Sequence, residues 1–470
     1  MIKNLISEKI FQKLGHSPTN SQQSLILHLS EFINDPEKKS VFIIRGYAGT
    51  GKTSVISALV KTLDEFSMKS VLLAPTGKAA KVLAHYSDKP AFTIHKKIFR
   101  QKSTKDGFGR FELEKNLHTR TIFIVDEASM ISNESADSSV FGSGRLLEDL
   151  LEYVYSGRDC KLIISGDTAQ LPPVGTQISP ALGKNYYIGS FLRVYEDELT
   201  EVVRQQQSSG ILVNATSLRE IIRMGIPQHP KFNLTGFKDV CRIPGNELIE
   251  QLERSYNEVG VEETIIINRS NKRSNMYNAG VRSKILFRED ELVPGDLLMV
   301  VKNNYYWLQD QKEISYIANG DMLEVKRIKK YEEHYGLRFA DITLRLMDYD
   351  LELDAKIILD TLKVESASLT SEQNKEFFYK IYEDFADITP KRKGYDKVKE
   401  DPYFNALQIK FAYAVTCHKA QGGQWKNVFI DQGYISEEMI NIDYLRWLYT
   451  AITRATQKVF LVNFGDKYFS

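Results

Sequence analysis

One segment limits the possible folds of this chain more than any other: Gly46-Tyr-Ala-Gly-Thr-Gly51-Lys52-Thr53. It follows the apolar run Val41–Ile44 and precedes a helical pattern, so a glycine-rich loop joins a buried strand to a helix. Glycines let successive backbone N–H groups turn inward, at a helix N-terminus that already favours anions. Lys52 supplies a point charge suited to β- and γ-phosphates, and the Thr53 hydroxyl suits Mg2+. Gly46, Gly49, Gly51, Lys52, Thr53 and the adjoining Ser54 form the expected triphosphate cradle. A loop of this kind needs a strand–loop–helix setting, which means an α/β fold.

Three more apolar, β-branched runs repeat the arrangement: Val71–Ala74, Thr121–Val125 and Lys161–Ser165. Each reads as a buried strand of a parallel sheet. Ligands of an open α/β sheet sit beyond the carboxyl ends of its strands. The segments Pro75–Lys78, Asp126–Glu127 and Gly166–Gln170 should therefore converge with the glycine loop on one edge. Thr264–Ile267, Phe411–Val415, Val428–Ile430 and Val459–Val462 suggest a second sheet. Two stretches break the pattern. Arg100–Arg120 carries Asp106–Gly107, a hairpin turn signal. Lys284–Tyr403 begins PGDLLMVV, carries Asn319–Gly320 and alternates as MLEVKRI and ITLRLM, which is antiparallel patterning fit for a small barrel. Its tail, Thr389–Glu400, reads as a basic loop. The resulting division is 1–205 for a first lobe with a hairpin at about 99–120, 206–283 with 404–470 for a second lobe, and 284–403 for an inserted β domain. At about 150 residues per domain, 470 residues suit three such units.

Composition matters here mainly by exclusion. The 62 Lys and Arg nearly balance 61 Asp and Glu, which leaves nucleic-acid binding open because a basic groove can be offset by acidic outer faces. No run approaches the roughly 18 apolar residues of a membrane span. The opening MIKNLISEKIFQKLG has interspersed charges rather than the apolar core of a signal peptide. Cys160, Cys241 and Cys417 form no CxxC pair, which argues against a zinc site, an iron–sulfur cluster or a disulfide framework. The expectation is a cytoplasmic protein with no membrane partner.

The chemistry-bearing residues follow from position. Asp126 ends a hydrophobic strand, where its carboxylate suits Mg2+, and Glu127 can orient and deprotonate a water. Paired acids at a strand end also serve as helix caps. Gln170 places a neutral amide at another strand end, suited to sensing a γ-phosphate. Arg204 in LTEVVRQQ and Arg454 in YTAITRAT are candidates to stabilise charge spread over the oxygens of a departing phosphoryl group.

Taken in order, these segments resemble the motif series of superfamily 1 helicases, closest to the 5′-to-3′ RecD-like and Dda-like branch. The resemblance runs from about Pro18 to Val462. It implies two RecA-like lobes, a strand-separating pin in the first and an SH3-like barrel in the second. Gln22 in PTNSQ resembles the adenine-recognising element. APTGKAAKVL with Pro75, Thr76 and Lys78, and the Thr93-Ile-His95 element, resemble first-lobe contacts to a single strand. Thr416, His418, Lys419 and Gly422 lie in the segment that resembles the second-lobe coupling motif. Gln424 stands where the family usually has a ribose-binding Glu. Phe99, Phe108 and Phe111 either give the pin an apolar tip or pack it onto its lobe. The function implied is an ATP- and Mg2+-dependent DNA helicase moving 5′ to 3′ as a monomer on single-stranded and forked duplex DNA, alongside replication or recombination proteins. A single-strand-stimulated ATPase that translocates or displaces proteins without unwinding uses the same motifs. A small-molecule kinase is a third reading, and it leaves the second lobe unexplained.

Overall fold

The computed structural model describes residues 2–102, 110–134, 142–173, 175–190, 192–203, 209–308 and 316–469. Ser40–Gly46, Lys69–Ala74, Thr121–Val125 and Lys161–Gly166 are strands of one six-stranded sheet. From edge to edge the order is Ala91–Thr93, Lys69–Ala74, Thr121–Val125, Lys161–Gly166, Ser40–Gly46 and Arg193–Leu199, every neighbour parallel. Central strands such as Thr121–Val125 are buried throughout because helices cover both faces. One apolar core packs Leu25, Phe42, Ile56 and Ile124 on one face; the other packs Ile43, Phe123, Leu150 and Ile164. Each such side chain contributes about 1.5–3 kcal/mol through burial.

The edge strand Arg193–Leu199 escapes the sequence reading for a physical reason. In RVYEDEL, Tyr195 stacks on Phe42 at 6.0 Å, while Glu196 pairs with Arg45 and Lys184 near solvent. Such polar patterning suits an edge strand and lacks the continuous apolar run of a buried one. Ala91–Thr93 is too short to leave a pattern.

The second sheet is also parallel, in the order Ala414–Thr416, Thr264–Asn268, Trp425–Asp431, Ala455–Val462 and Val240–Ile243. Between its strands stands a closed five-stranded barrel of Leu297–Val300, Met322–His334, Leu337–Leu346, Leu351–Ile358 and Leu407–Phe411. This corrects two readings. Phe411–Val415 is not one strand: Leu407–Phe411 closes the barrel, and the second lobe resumes only at Ala414. The barrel therefore extends past the expected limit at 403. Thr389–Glu400 is not a loop either, since Lys391–Glu400 is a helix. With the helix Ser371–Glu383 it covers the outer end of the long hairpin through Phe339, Phe377, Ile381 and Val398. Charged residues spaced around two buried positions, Gly394 and Val398, hide that helix from a pattern search.

Asp296 fixes the barrel to the second lobe. It is fully buried and accepts from Arg282 Nε and Nη2 at 3.0 Å each, from Arg288 at 2.8 Å and from the Tyr413 hydroxyl at 2.8 Å. The hairpin Phe99–Lys102 with Arg110–Leu113 docks from the first lobe, where the Phe111 ring lies 4.6 Å from Tyr305. Among the described residues no helix is long and apolar enough to cross a membrane. Asp296→Ala leaves two guanidinium groups without counter-charge, at a cost of about 3–5 kcal/mol. Its urea midpoint should fall sharply, whereas Glu376→Gln, which breaks an exposed i,i+4 pair with Lys380, should barely move it.

Candidate nucleotide site and nucleic-acid interface

The glycine loop opens the helix Lys52–Glu65 at the carboxyl end of Ser40–Gly46. Gly49 and Gly51 have φ of +75° and +82°. A β-carbon at Gly51 would also run into the Gln22 amide, so glycine is required there twice over. Lys52 folds back and donates to the carbonyls of Gly46 and Tyr47 at 2.5 and 2.9 Å. Thr53 is half-buried and Ser54 exposed on the first turn of the helix.

Gln22, expected beside the adenine, is held by the protein in this structure. It is fully buried; its amide nitrogen donates to the Thr50 carbonyl at 2.9 Å, and its carbonyl accepts from Thr19 N at 3.1 Å. In this structure it caps the helix Asn20–Asn34 and clamps the glycine loop.

Asp126 ends its strand in the core, 8% exposed, and its amide donates to Leu73 O at 3.0 Å. Burial, then the Glu127 charge, push its carboxyl up to about 6. Glu127 itself has φ +54°, left-handed backbone that a β-carbon disfavours, at the junction with a single 3-10 turn. Gln170 is 5% exposed and its Oε1 is buried without a hydrogen-bond partner. Arg204 lies outside the described residues. Arg454 is 4% exposed and among the described residues donates to neutral oxygens: Thr450 O at 3.1 Å, Gly423 O at 3.3 Å and Thr453 Oγ1 at 3.3 Å.

The two lobes meet beside this loop. Tyr47, Ala169 and Leu171 of the first lobe join the core of the second. Tyr449, from the helix Ile442–Ile452, accepts the Ala48 amide at 2.8 Å and donates to Asp167 at 2.7 Å. Thr450 accepts the Leu171 amide at 2.8 Å, and Gln421 donates to Leu171 O at 2.6 Å. Neither Tyr449 nor Asp167 was singled out by sequence; their pairing joins residues 282 positions apart and leaves no local signal.

On the neighbouring side, Thr76, Lys78, Met130, Asn319, His418 and Lys419 line a cleft shared by both lobes and the barrel. Pro75 is half-buried just before it, and Gln424 is exposed. Gly422 presses on Thr76: a β-carbon there would lie 2.8 Å from Thr76 Oγ1. Several of the residues expected to contact a strand have partners within the protein. Lys78 lies 3.5 Å from the centroid of the Trp425 ring, and burial pulls its ammonium down to about 8. His95 sits 5.9 Å from the Phe99 ring, with burial holding its imidazole neutral down to about 4. Phe99 is 6% exposed and Phe111 3%, so both pack the hairpin onto the protein; Phe108 lies outside the described residues. Thr76 and Thr93 cap helices through Ala79 N and Lys96 N, each at 3.2 Å. The Thr416 hydroxyl makes no cap bond and lines a second groove with Asn271, Ser274, Asn275 and Lys410. That groove was missed, although Ser270 marks a helix start just beyond the strand Thr264–Asn268.

Asp321 lies in the cleft, 4% exposed, accepting from Ala318 N at 2.7 Å. Burial, with Asp348 adding repulsion, pushes its carboxyl up to about 7. Because this is above the ordinary carboxylate value, ionising Asp321 costs the fold stability above pH 7, and stability returns as pH falls toward 4. Asp321→Asn should therefore raise the melting temperature at pH 8 and leave it unchanged near pH 4, read by circular dichroism.

Known families and proteins are similar to this chain. The AAA domain family model matches residues 30–221, and that of the UvrD-like helicase C-terminal domain matches 411–462. The chain is 26% identical over 530 residues to the uncharacterized protein R530 of Acanthamoeba polyphaga mimivirus, covering 94% of this chain and 99% of that one. It is 24% identical over 454 residues to the ATP-dependent DNA helicase dda of Enterobacteria phage T4, covering 91% and 95%. A solved structure of Pif1 helicase from Bacteroides with ADP-AlF3 and single-stranded DNA superposes with a TM-score of 0.48 at 16% identity, over 97% of this chain and 95% of that one. Both lobes are thus matched in chain order, and the dda helicase of phage T4 is similar to this chain almost end to end.

Proposed function

We propose that the protein is an ATP-dependent DNA helicase that moves 5′ to 3′ on single-stranded DNA and separates the duplex ahead of it. The observation that carries this reading is the seam. The glycine loop, the Gly166–Gln170 segment and the Tyr449–Arg454 segment are hydrogen-bonded to one another across two lobes. A nucleotide bound there touches both lobes, and the cleft lined by Thr76, Lys78, His418 and Lys419 belongs to the same two lobes. Opening and closing at the seam therefore alters the grip on a strand.

The residues present suit a magnesium nucleotide. Lys52 occupies itself with loop carbonyls, which a phosphate outcompetes as a charged acceptor. The buried Asp126 carboxyl, raised toward 6, is one that a cation stabilises in its ionised form. Thr53 and Asp126 would hold Mg2+, which neutralises charge on the phosphate oxygens. Glu127 orients and deprotonates the attacking water, and the unpartnered Gln170 Oε1 is available to it. Arg454, held among the described residues by neutral oxygens, offers its charge to the transferring phosphoryl group. Thr416 holds strand phosphates without reading sequence.

Steady-state ATPase measured with and without a single-stranded oligonucleotide tests the assignment: strong stimulation is expected, and its absence would revive the kinase reading. Lys52→Ala should abolish both turnover and unwinding while weak strand binding survives. Arg454→Ala should bind ATP normally and lose about 10³ in turnover. A fork with a 5′ tail should be unwound in preference to one with a 3′ tail. Stimulation without unwinding of either would point to a translocase that displaces proteins.

A further inference from the structure

The last turn of the helix Ile442–Ile452 is unusually constrained. Tyr449 is 1% exposed, and its hydroxyl bonds two first-lobe groups at once, the Ala48 amide at 2.8 Å and Asp167 Oδ2 at 2.7 Å. Asp167 is also 1% exposed, and its other oxygen accepts the Ala169 amide at 2.9 Å. A phenylalanine would fill this seam equally well, since Tyr47, Ala169 and Leu171 already make it apolar. Burying a phenol and a carboxylate instead carries a desolvation cost that is recovered only in one geometry. An apolar seam tolerates sliding, whereas a hydroxyl held between an amide and a carboxylate has one position.

That position is passed on to Arg454. Thr450 accepts the Leu171 amide through its side chain at 2.8 Å, and its carbonyl accepts Arg454 Nε at 3.1 Å. The chain of bonds runs from the glycine loop through Tyr449 and Thr450 to the guanidinium. We propose that Tyr449 is a positioning residue that sets the register of Arg454 against the glycine loop. This rests on the reading of Arg454 as the group that stabilises the phosphoryl charge.

Tyr449→Phe keeps the ring and deletes the hydroxyl. Loss of a hydrogen bond to a charged group corresponds to about a tenfold effect. In the full chain with saturating single-stranded DNA, kcat should fall about tenfold while KM for ATP stays within about twofold. Added to Arg454→Ala, the same change should cost less than about twofold, because no guanidinium remains to be placed. Melting temperatures of the single variants separate loss of fold from loss of register, and Asp167→Asn should shift kcat in the same direction. Equal losses from Tyr449→Phe in both backgrounds, or none in the parent, overturn the proposal. Unchanged turnover in Arg454→Ala would overturn the reading beneath it, and this inference with it.

Discussion

A loop lined with backbone N–H groups, at the positive end of a helix, accumulates charge that only an anion relieves. In this protein that loop holds Lys52 against the carbonyls of Gly46 and Tyr47, with Gln22 clamping Thr50 from behind. The parallel sheet exists to present this loop: six strands run the same way, so the segments after four of them share one edge. Asp126 is buried there beside Glu127, whose backbone is itself strained. Such concentrated polarity at a strand end is destabilising unless a ligand uses it.

The second constraint is the seam. Tyr47, Ala169 and Leu171 lie in the hydrophobic core of the opposite lobe, yet that contact is crossed by directional bonds at Tyr449, Thr450 and Gln421. Apolar packing brings the lobes together and the polar bonds choose their register. Those bonds tie the glycine loop to the segment Tyr449–Arg454, and Gln421 ties Leu171 to the segment from Thr416 to Gly422 that borders the cleft. The barrel joins this arrangement as a rigid wall, since Asp296 binds it to the second lobe through two arginines and a tyrosine. Phe111 and Tyr305 bring the hairpin of the first lobe against it.

Much of this was legible in the order of residues. Thr121–Val125 and Lys161–Ser165 are buried on both faces, so their apolar runs carry their own assignment. Arg193–Leu199 and Lys391–Glu400 do not, because one is an edge strand and the other a helix with few buried positions. The split of Phe411–Val415 between barrel and lobe was likewise hidden, since strand propensity says nothing about which sheet a strand joins. In the site, Gly51 has the left-handed backbone and Lys52 the helix-opening position that the spacing implies. Gln22, Lys78, His95 and Phe99, expected to contact ligands, have partners within the protein that the sequence did not show.

The sequence by itself determined the glycine loop, its strand and helix, and the set of segments that share its edge, because hydrophobic period and turn chemistry act over neighbouring residues. Only the tertiary structure decided that Tyr449 bonds Asp167, that Lys78 lies on Trp425 and that Gln22 holds Thr50. Those pairings join segments far apart in the chain, and a side chain's partner there depends on how whole lobes pack rather than on any local period.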